Sequence, residues 1–185
     1  MSITFSYYHN NNLSTITDAS LLPAGSFLLA VYLVGQLTLK ELCQLKGAML
    51  IYTSSEAEYS FKQGLDSLES KDIEGFIDLV PRMGQASILE LLLAEATIDA
   101  PTALRLGLVN QIYTEAEFQA QISTISKLSI SAIALACQIT KAATTLNYQA
   151  AEILERYAFA LRFTHSDQKE GMQAFIEKRA PNFTA

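Results

Sequence analysis

The spacing of hydrophobic positions changes along the chain. Near the start, Ile3-Thr4-Phe5-Ser6-Tyr7-Tyr8 is rich in β-branched and aromatic residues and runs into the turn-prone His9-Asn10-Asn11-Asn12. Leu13-Ser14-Thr15-Ile16-Thr17 then repeats the strand-like composition. Strand formers on both sides of an Asn-rich turn predict a β-hairpin. The uncharged run from Phe27 to Val34 predicts a further strand, and Ala48-Met49-Leu50-Ile51-Tyr52-Thr53 a buried one that opens into the polar loop Ser54-Ser55-Glu56.

Between these strands and beyond them the period becomes helical. Thr38-Leu39-Lys40-Glu41 has the form of a capping box, opening a short helix through Leu42, Leu45 and Lys46 that ends near Gly47. Ser87-Ile88-Leu89-Glu90 repeats that form ahead of Leu91-Leu92-Leu93, and Thr114-Glu115-Ala116-Glu117 opens another helix. Asp99-Ala100-Pro101-Thr102 pairs an N-cap candidate with proline in the first turn, and Gly107 suits the positive φ of a helix C-cap. Leu146, Ile153, Leu154, Tyr157, Ala158 and Leu161 mark one amphipathic face. Asp167 begins a last helix, with Glu170 as its capping-box partner. Strands early and helices late predict an α/β or α+β chain with a helical C-terminal region.

Composition narrows this picture. With 185 residues, half of them hydrophobic, the chain has enough material for one core, and one overall domain is the expectation. We divide it into an α/β core over 1–115 and a helical region over 116–185. A net charge of −6 with 13 Lys and Arg argues against a nucleic-acid surface, so a phosphate-bearing ligand would need a local basic cluster. Cys43 and Cys137 have neither zinc-site spacing nor the pattern of a disulfide framework, which suggests no metal and a reduced, cytoplasmic setting. The apolar run Leu21 to Leu37 is interrupted by Pro23, Gly25 and Gly35, and we read it as buried structure, with no membrane segment.

His165-Ser166-Asp167 holds the residue types of a hydrolytic triad, but sequence neighbours do not orient as nucleophile, base and acid, and His165 reads as a connector. His9 reads as a solvated turn residue and Cys137 as a small buried thiol.

Three stretches together resemble the crotonase (enoyl-CoA hydratase/isomerase) superfamily. They are the closing Asp167-Gln168-Lys169-Glu170-Gly171-Met172-Gln173-Ala174-Phe175-Ile176-Glu177-Lys178-Arg179-Ala180-Pro181-Asn182-Phe183, the segment Ile98 to Asn110 ending in Gly107-Leu108-Val109, and Leu79-Val80-Pro81-Arg82-Met83-Gly84. Lys141 also stands where the family has a helical lysine. Upstream, Tyr59-Ser60-Phe61-Lys62-Gln63-Gly64-Leu65-Asp66 is similar to the family loop that follows a strand. The resemblance implies a crotonase-like (ClpP/crotonase) fold with a reduced β core, and the backbone N–H of Leu65, after Gly64, as an oxyanion donor to an acyl-CoA thioester. Rigid main-chain donors suit that task because they carry no titrating counter-charge. Gly64 also reads as an ordinary loop glycine.

The resemblance further implies Lys62 and Gln63 as residues near the CoA, Phe163 as a ligand contact, and Lys178 and Arg179 as contacts to CoA phosphates. Phe159, Phe163 and Phe175 also read as aromatics packed within a helix pair, and Lys178 and Arg179 as charges offsetting a helix dipole. It implies a homotrimer or dimer of trimers built on the C-terminal helices, and no cofactor or metal beyond the thioester itself. Relatives carry a Gly-Gly turn and catalytic glutamates before the Leu-Pro-Arg segment. Here only Ser67 to Asp78 fill that interval, no Gly-Gly pair occurs, and Glu69, Asp72, Glu74 and Asp78 have the spacing of a solvated helix or loop. The expectation is an enoyl-CoA hydratase/isomerase-like protein with impaired or altered catalysis. The alternative is a non-catalytic assembly or CoA-binding subunit.

Overall fold

The computed structural model describes residues 3–9, 27–45 and 47–183. The chain folds as two compact units, residues 4–120 and residues 121–185 with the first three. In chain order the first unit contains β1 (Ile3–His9), β2 (Phe27–Val34), β3 (Gln36–Thr38), α1 (Leu39–Cys43), β4 (Leu50–Thr53) and β5 (Glu58–Ser60). Next come α2 (Ile73–Met83), α3 (Gln85–Leu93), β6 (Thr97–Asp99), α4 (Ala100–Arg105), β7 (Gln111–Ile112) and the start of α5 (Glu115–Ile125). The second unit holds α6 (Ile130–Ala143), α7 (Tyr148–Arg162) and α8 (Ser166–Glu177). The expected second hairpin strand, Leu13 to Thr17, lies outside the described residues, as does the start of the Leu21 to Leu37 run. From Phe27 onward that run forms β2 and β3. No single helix among the described residues is long and apolar enough to cross a membrane.

Among the described residues the strands form two sheets, ordered β1-β2-β4-β7 and β3-β5-β6. β2 runs parallel to β4 with Tyr32 opposite Tyr52, and β4 runs parallel to β7. The small sheet mixes a parallel β3–β5 pair with an antiparallel β5–β6 pair that sets Tyr59 opposite Ile98. Leu29 to Leu33 are all buried because β2 lies between two strands and is covered on both faces. A strand in that position has no solvent side, so its sequence is an unbroken apolar run. Asn110 stitches the β4–β7 edge: its N–H donates to Ile51 O at 2.7 Å and its Oδ1 accepts from Ile51 N at 2.7 Å.

Local chemistry sets the helix boundaries. Thr38 and Glu41 form the expected capping box, with Thr38 N–H donating to Glu41 Oε2 at 2.7 Å. Asp99 caps α4 by accepting from Thr102 N at 2.9 Å, and Thr114 and Glu117 exchange bonds at the start of α5. The box expected at Ser87 does not form. Gly84, at φ 80, already starts α3, so Ser87 falls inside the first turn. The box expected at Asp167 is also absent, since the N-cap of α8 is His165 and the carboxylates of Asp167 and Glu170 are engaged elsewhere.

Helix ends supply a testable contrast. After α4, Gly107 at φ 79 donates to Leu104 O and Leu108 donates back to Ala103 O, a Schellman closure. α3 ends in the same pattern, Glu95 N to Leu92 O and Ala96 N to Leu91 O, but the left-handed position is Glu95 at φ 46. A Cβ there costs about 1 kcal/mol, partly offset by glycine's extra freedom in the unfolded chain. Glu95→Gly is therefore expected to raise the urea midpoint of the first unit, a gain of about 0.5 kcal/mol. A lowered midpoint would contradict this.

The second unit differs from the amphipathic reading in one respect. The apolar positions of α7 do share a helix, but Ala158 is the one buried residue on it, while Ile153, Tyr157 and Leu161 stand exposed. Phe159 and Phe163 pack edge to face at 5.1 Å and remain more than half exposed.

Candidate functional site

The Lys62–Leu65 loop is built between β5 and a 3-10 turn, Gly64–Ser67. Phe61 is fully buried and anchors the loop to the core, and its N–H donates to Ala96 O at 2.8 Å. Gln63 at φ 65 and Gly64 at φ 40 then turn the chain through two left-handed positions. The backbone donors around this turn are already committed. Lys62 N–H reaches Ser60 Oγ at 3.4 Å, Gly64 N–H donates to Phe61 O at 3.1 Å, and Asp66 N–H donates to Gln63 O at 3.1 Å. Leu65 follows Gly64 within the 3-10 turn, between these two donors. Ser67 Oγ closes the turn on Gly64 O at 3.0 Å. A Cβ on Gly64 would sit 3.7 Å from Leu92 Cδ2, which places α3 alongside the loop.

Three acidic residues of the short bridge, Glu69, Asp72 and Asp78, are structural. Glu69 bridges Lys40 and Lys71, and these hydrogen bonds, Lys40 first, lower its carboxyl to about 2. Asp72, 2% exposed, accepts from Glu69 N at 2.9 Å. Asp78 accepts from Gly47 N at 3.0 Å. Arg82 donates to Ala48 O at the entry to β4, and burial lowers its guanidinium below the usual value. Three of the bridge carboxylates thus hold helices in place, and none of these three contacts converges on the Leu65 N–H. Tyr59 hydrogen-bonds Thr53 Oγ1 at 2.6 Å in the core, where burial raises its phenol, and burial pushes the Cys43 thiol up to about 12. Both are inert as acid or nucleophile near neutral pH.

Lys62, Gln63, Gly64 and Leu65 thus lie together on one loop of the first unit, whereas Phe163, Lys178 and Arg179 belong to the second. Phe163 caps α7, and Lys178, at φ 55, closes α8. Arg179 is heavily engaged. Its Nη1 and Nη2 bind both oxygens of Glu170, at 2.6 and 2.9 Å, and its Nε binds Glu177 at 2.5 Å. Asn182 N–H adds a bond to Glu170 Oε1 at 2.7 Å. The closing sequence signature is therefore a clamp tying the tail back onto α8. Neither the Glu170 arm of the clamp on Arg179 nor the role of Arg82 is legible in the sequence, because each joins residues nine or more positions apart.

That clamp is pH-sensitive. Hydrogen bonds from Arg179, then from the Asn182 N–H, lower the Glu170 carboxyl to about 2. Its folded value lies below the unfolded one, so its contribution is complete above about pH 4.3 and is lost as pH falls through about 2. Glu170→Gln should melt at a lower temperature than the parent at pH 7, with the gap closing near pH 2. Circular dichroism melts at both pH values check this, and an unchanged gap would refute it.

His165, Asp167 and Ser131 do not form a hydrolytic relay. A single ring nitrogen, Nδ1, faces both Ser131 Oγ, at 3.5 Å, and Asp167 Oδ2, at 3.8 Å, so the imidazole does not stand between the other two. Among the described residues no three His, Cys, Asp or Glu side chains group to hold a metal.

Comparison with known proteins gives the frame an ancestry. The sequence pattern of the family described as enoyl-CoA hydratase/isomerase matches residues 48–185. A probable enoyl-CoA hydratase of Mycobacterium tuberculosis is 38% identical over 110 residues, covering 57% of this chain and 43% of that protein. A crotonyl-CoA hydratase of Syntrophomonas wolfei is 38% identical over 109 residues, 56% of this chain and 42% of that protein. The chain thus spans less than half the length of these curated relatives. Among solved structures, a probable enoyl-CoA hydratase/isomerase from Mycobacterium abscessus superposes with a TM-score of 0.74 at 20% identity, over 94% of this chain and 74% of that one. An enoyl-CoA hydratase subunit from Geobacillus kaustophilus gives a TM-score of 0.73 at 27% identity, over 84% and 62%. The α/β core is a crotonase fold, and the chain belongs to the enoyl-CoA hydratase/isomerase family.

Proposed function

We propose that the chain binds acyl-CoA thioesters at the Gly64–Leu65 turn, with the Leu65 N–H donating to the thioester carbonyl and with slow or altered turnover. The observation that carries this reading is the left-handed pair Gln63 and Gly64, which sets the direction of the backbone entering Leu65 between two committed donors, the Gly64 and Asp66 N–H groups. A donor fixed in this way is aimed before the ligand arrives, which is what stabilisation of an enolate-like oxygen requires. One such donor in place of two lowers the rate about 100- to 1,000-fold. The bridge carboxylates Glu69, Asp72 and Asp78 are each tied to structural partners, which leaves no matched acid/base pair in that bridge. Lys62 and Gln63, both exposed, flank the turn as contacts for the CoA moiety. Phe163, Lys178 and Arg179 remain the second unit's candidates, and Lys178 is the better cation because Arg179 already serves two carboxylates.

The second reading is a non-catalytic assembly subunit. The exposed apolar side chains of α7 and α8 favour it, and a homotrimer or dimer of trimers would cover them. Calorimetric titration of CoA and crotonyl-CoA, with a hydration assay on the latter, separates the readings. Binding with slow turnover supports the first. Absence of both leaves assembly.

A further inference from the structure

A buried polar knot joins three helix ends in the second unit. Ser129 is the N-cap of α6, its Oγ accepting from Ala132 N at 3.1 Å. The same hydroxyl donates to Asp167 Oδ2 and accepts from Arg162 Nη2, in the last turn of α7, at 3.2 Å. Ser131 Oγ donates to the same Asp167 oxygen at 2.6 Å. Asp167 lies in the first turn of α8 and is 7% exposed, and Ser129 is 8% exposed. One carboxylate oxygen thus sits at the positive ends of α6 and α8 together, where a full negative charge is favoured over a neutral group. The charged and titratable groups facing it are Arg162 from α7 and His165 from the α8 cap, whose Nδ1 is 3.8 Å away.

We propose that Asp167 is a latch: its ionised carboxylate fixes the angle of α8 against the start of α6 and so determines the apolar face the chain offers to a second copy. The assembly half of this proposal rests on the oligomeric reading above; the latch itself does not. Asp167 is too buried to meet a partner, so any effect it has on assembly passes through α8. That helix carries Met172, Phe175 and Ile176 at 57%, 85% and 70% exposure. Their direction follows the tilt that the knot sets. A neutral side chain at 167 loses the charge that both hydroxyls and both helix ends favour, and α8 opens locally while the first unit stays folded.

The test is hydrogen–deuterium exchange read by peptide mass on the full chain, with light-scattering mass in the same samples, for the parent, Asp167→Asn and Ser131→Ala. The latch predicts about a tenfold loss of protection over residues 166–177 in Asp167→Asn at pH 7, a smaller loss in Ser131→Ala, and none over residues 29–109. The hydrogen bonds from Ser129 and then Ser131 lower the Asp167 carboxyl, so the parent keeps its protection down to about pH 4 and loses it below. Asp167→Asn should show a low, flat profile over that range. Unchanged protection of α8 in both variants overturns the latch. A loosened α8 with undiminished oligomer mass overturns its link to assembly, and a parent that is monomeric overturns the oligomeric reading alone. Should Asp167→Asn fail to fold, Ser131→Ala carries the same comparison, since it removes one donor and leaves the Ser129 cap in place.

Discussion

A Gly75→Ala chain is expected to lose the fold of its first unit, through a single methyl group. Gly75 lies in α2, fully turned toward α1, and a Cβ there would collide with the carbonyl of Cys43 and with its C and Cα atoms. These are backbone atoms, so no rotamer change relieves the clash. α2 must move away from α1, and Leu79 and Met83, one and two turns further along the same face, move with it out of the core. Overpacking of this kind costs about 3 kcal/mol or more, a large part of the stability of a domain this size. The expected result is a fall in thermal midpoint of more than about 10 °C. Gly84→Ala is the contrast: φ 80 with ψ 149 strains an alanine, but nothing lies within 4 Å of the added carbon, so a backbone cost of about 1–3 kcal/mol is expected without a clash. Equal losses for the two variants would show that close helix approach is not what Gly75 provides.

The second large effect is on the thioester site proposed at the Gly64–Leu65 turn. Leu65→Pro removes the N–H on which the proposal rests. Proline is compatible with the first turn of a helical segment, where φ lies near −65°. Gly64, which precedes it, has no Cβ to add to the clash that proline makes with its neighbour. Any acceleration of crotonyl-CoA hydration by the parent chain should then fall about 100- to 1,000-fold, with the thermal midpoint nearly unchanged. Undiminished turnover in a folded Leu65→Pro chain would remove Leu65 from the mechanism.

The parts of the fold that the sequence announced are those fixed by neighbours. The Thr38–Glu41 box, the Asp99 cap with Pro101 and the Gly107 closure each depend on residues within five positions, and each stands where the pattern puts it. The uncharged run Phe27 to Val34 announced a strand covered on both faces. What the pattern did not carry is long-range. Gly75 looks like any helical glycine until α1 is seen against it, and Arg82 looks like a surface residue until its guanidinium is found against Ala48. Asp167 and Glu170 have capping-box spacing, yet Ser129, Ser131 and Arg179 claim their carboxylates. At the candidate site the sequence located the loop through resemblance, while the commitment of the N–H groups flanking Leu65 required the folded backbone.

The Leu65 N–H is proposed as a backbone donor to a thioester carbonyl. Its most direct test is the infrared stretch of crotonyl-CoA labelled with carbon-13 at the thioester carbonyl, free and bound to the parent and to Leu65→Pro. A shift to lower frequency is expected on binding the parent, because a donor aimed at the oxygen polarises the bond, with loss of that shift in the variant. An unshifted band on the parent, or the same shift in both proteins, would contradict it.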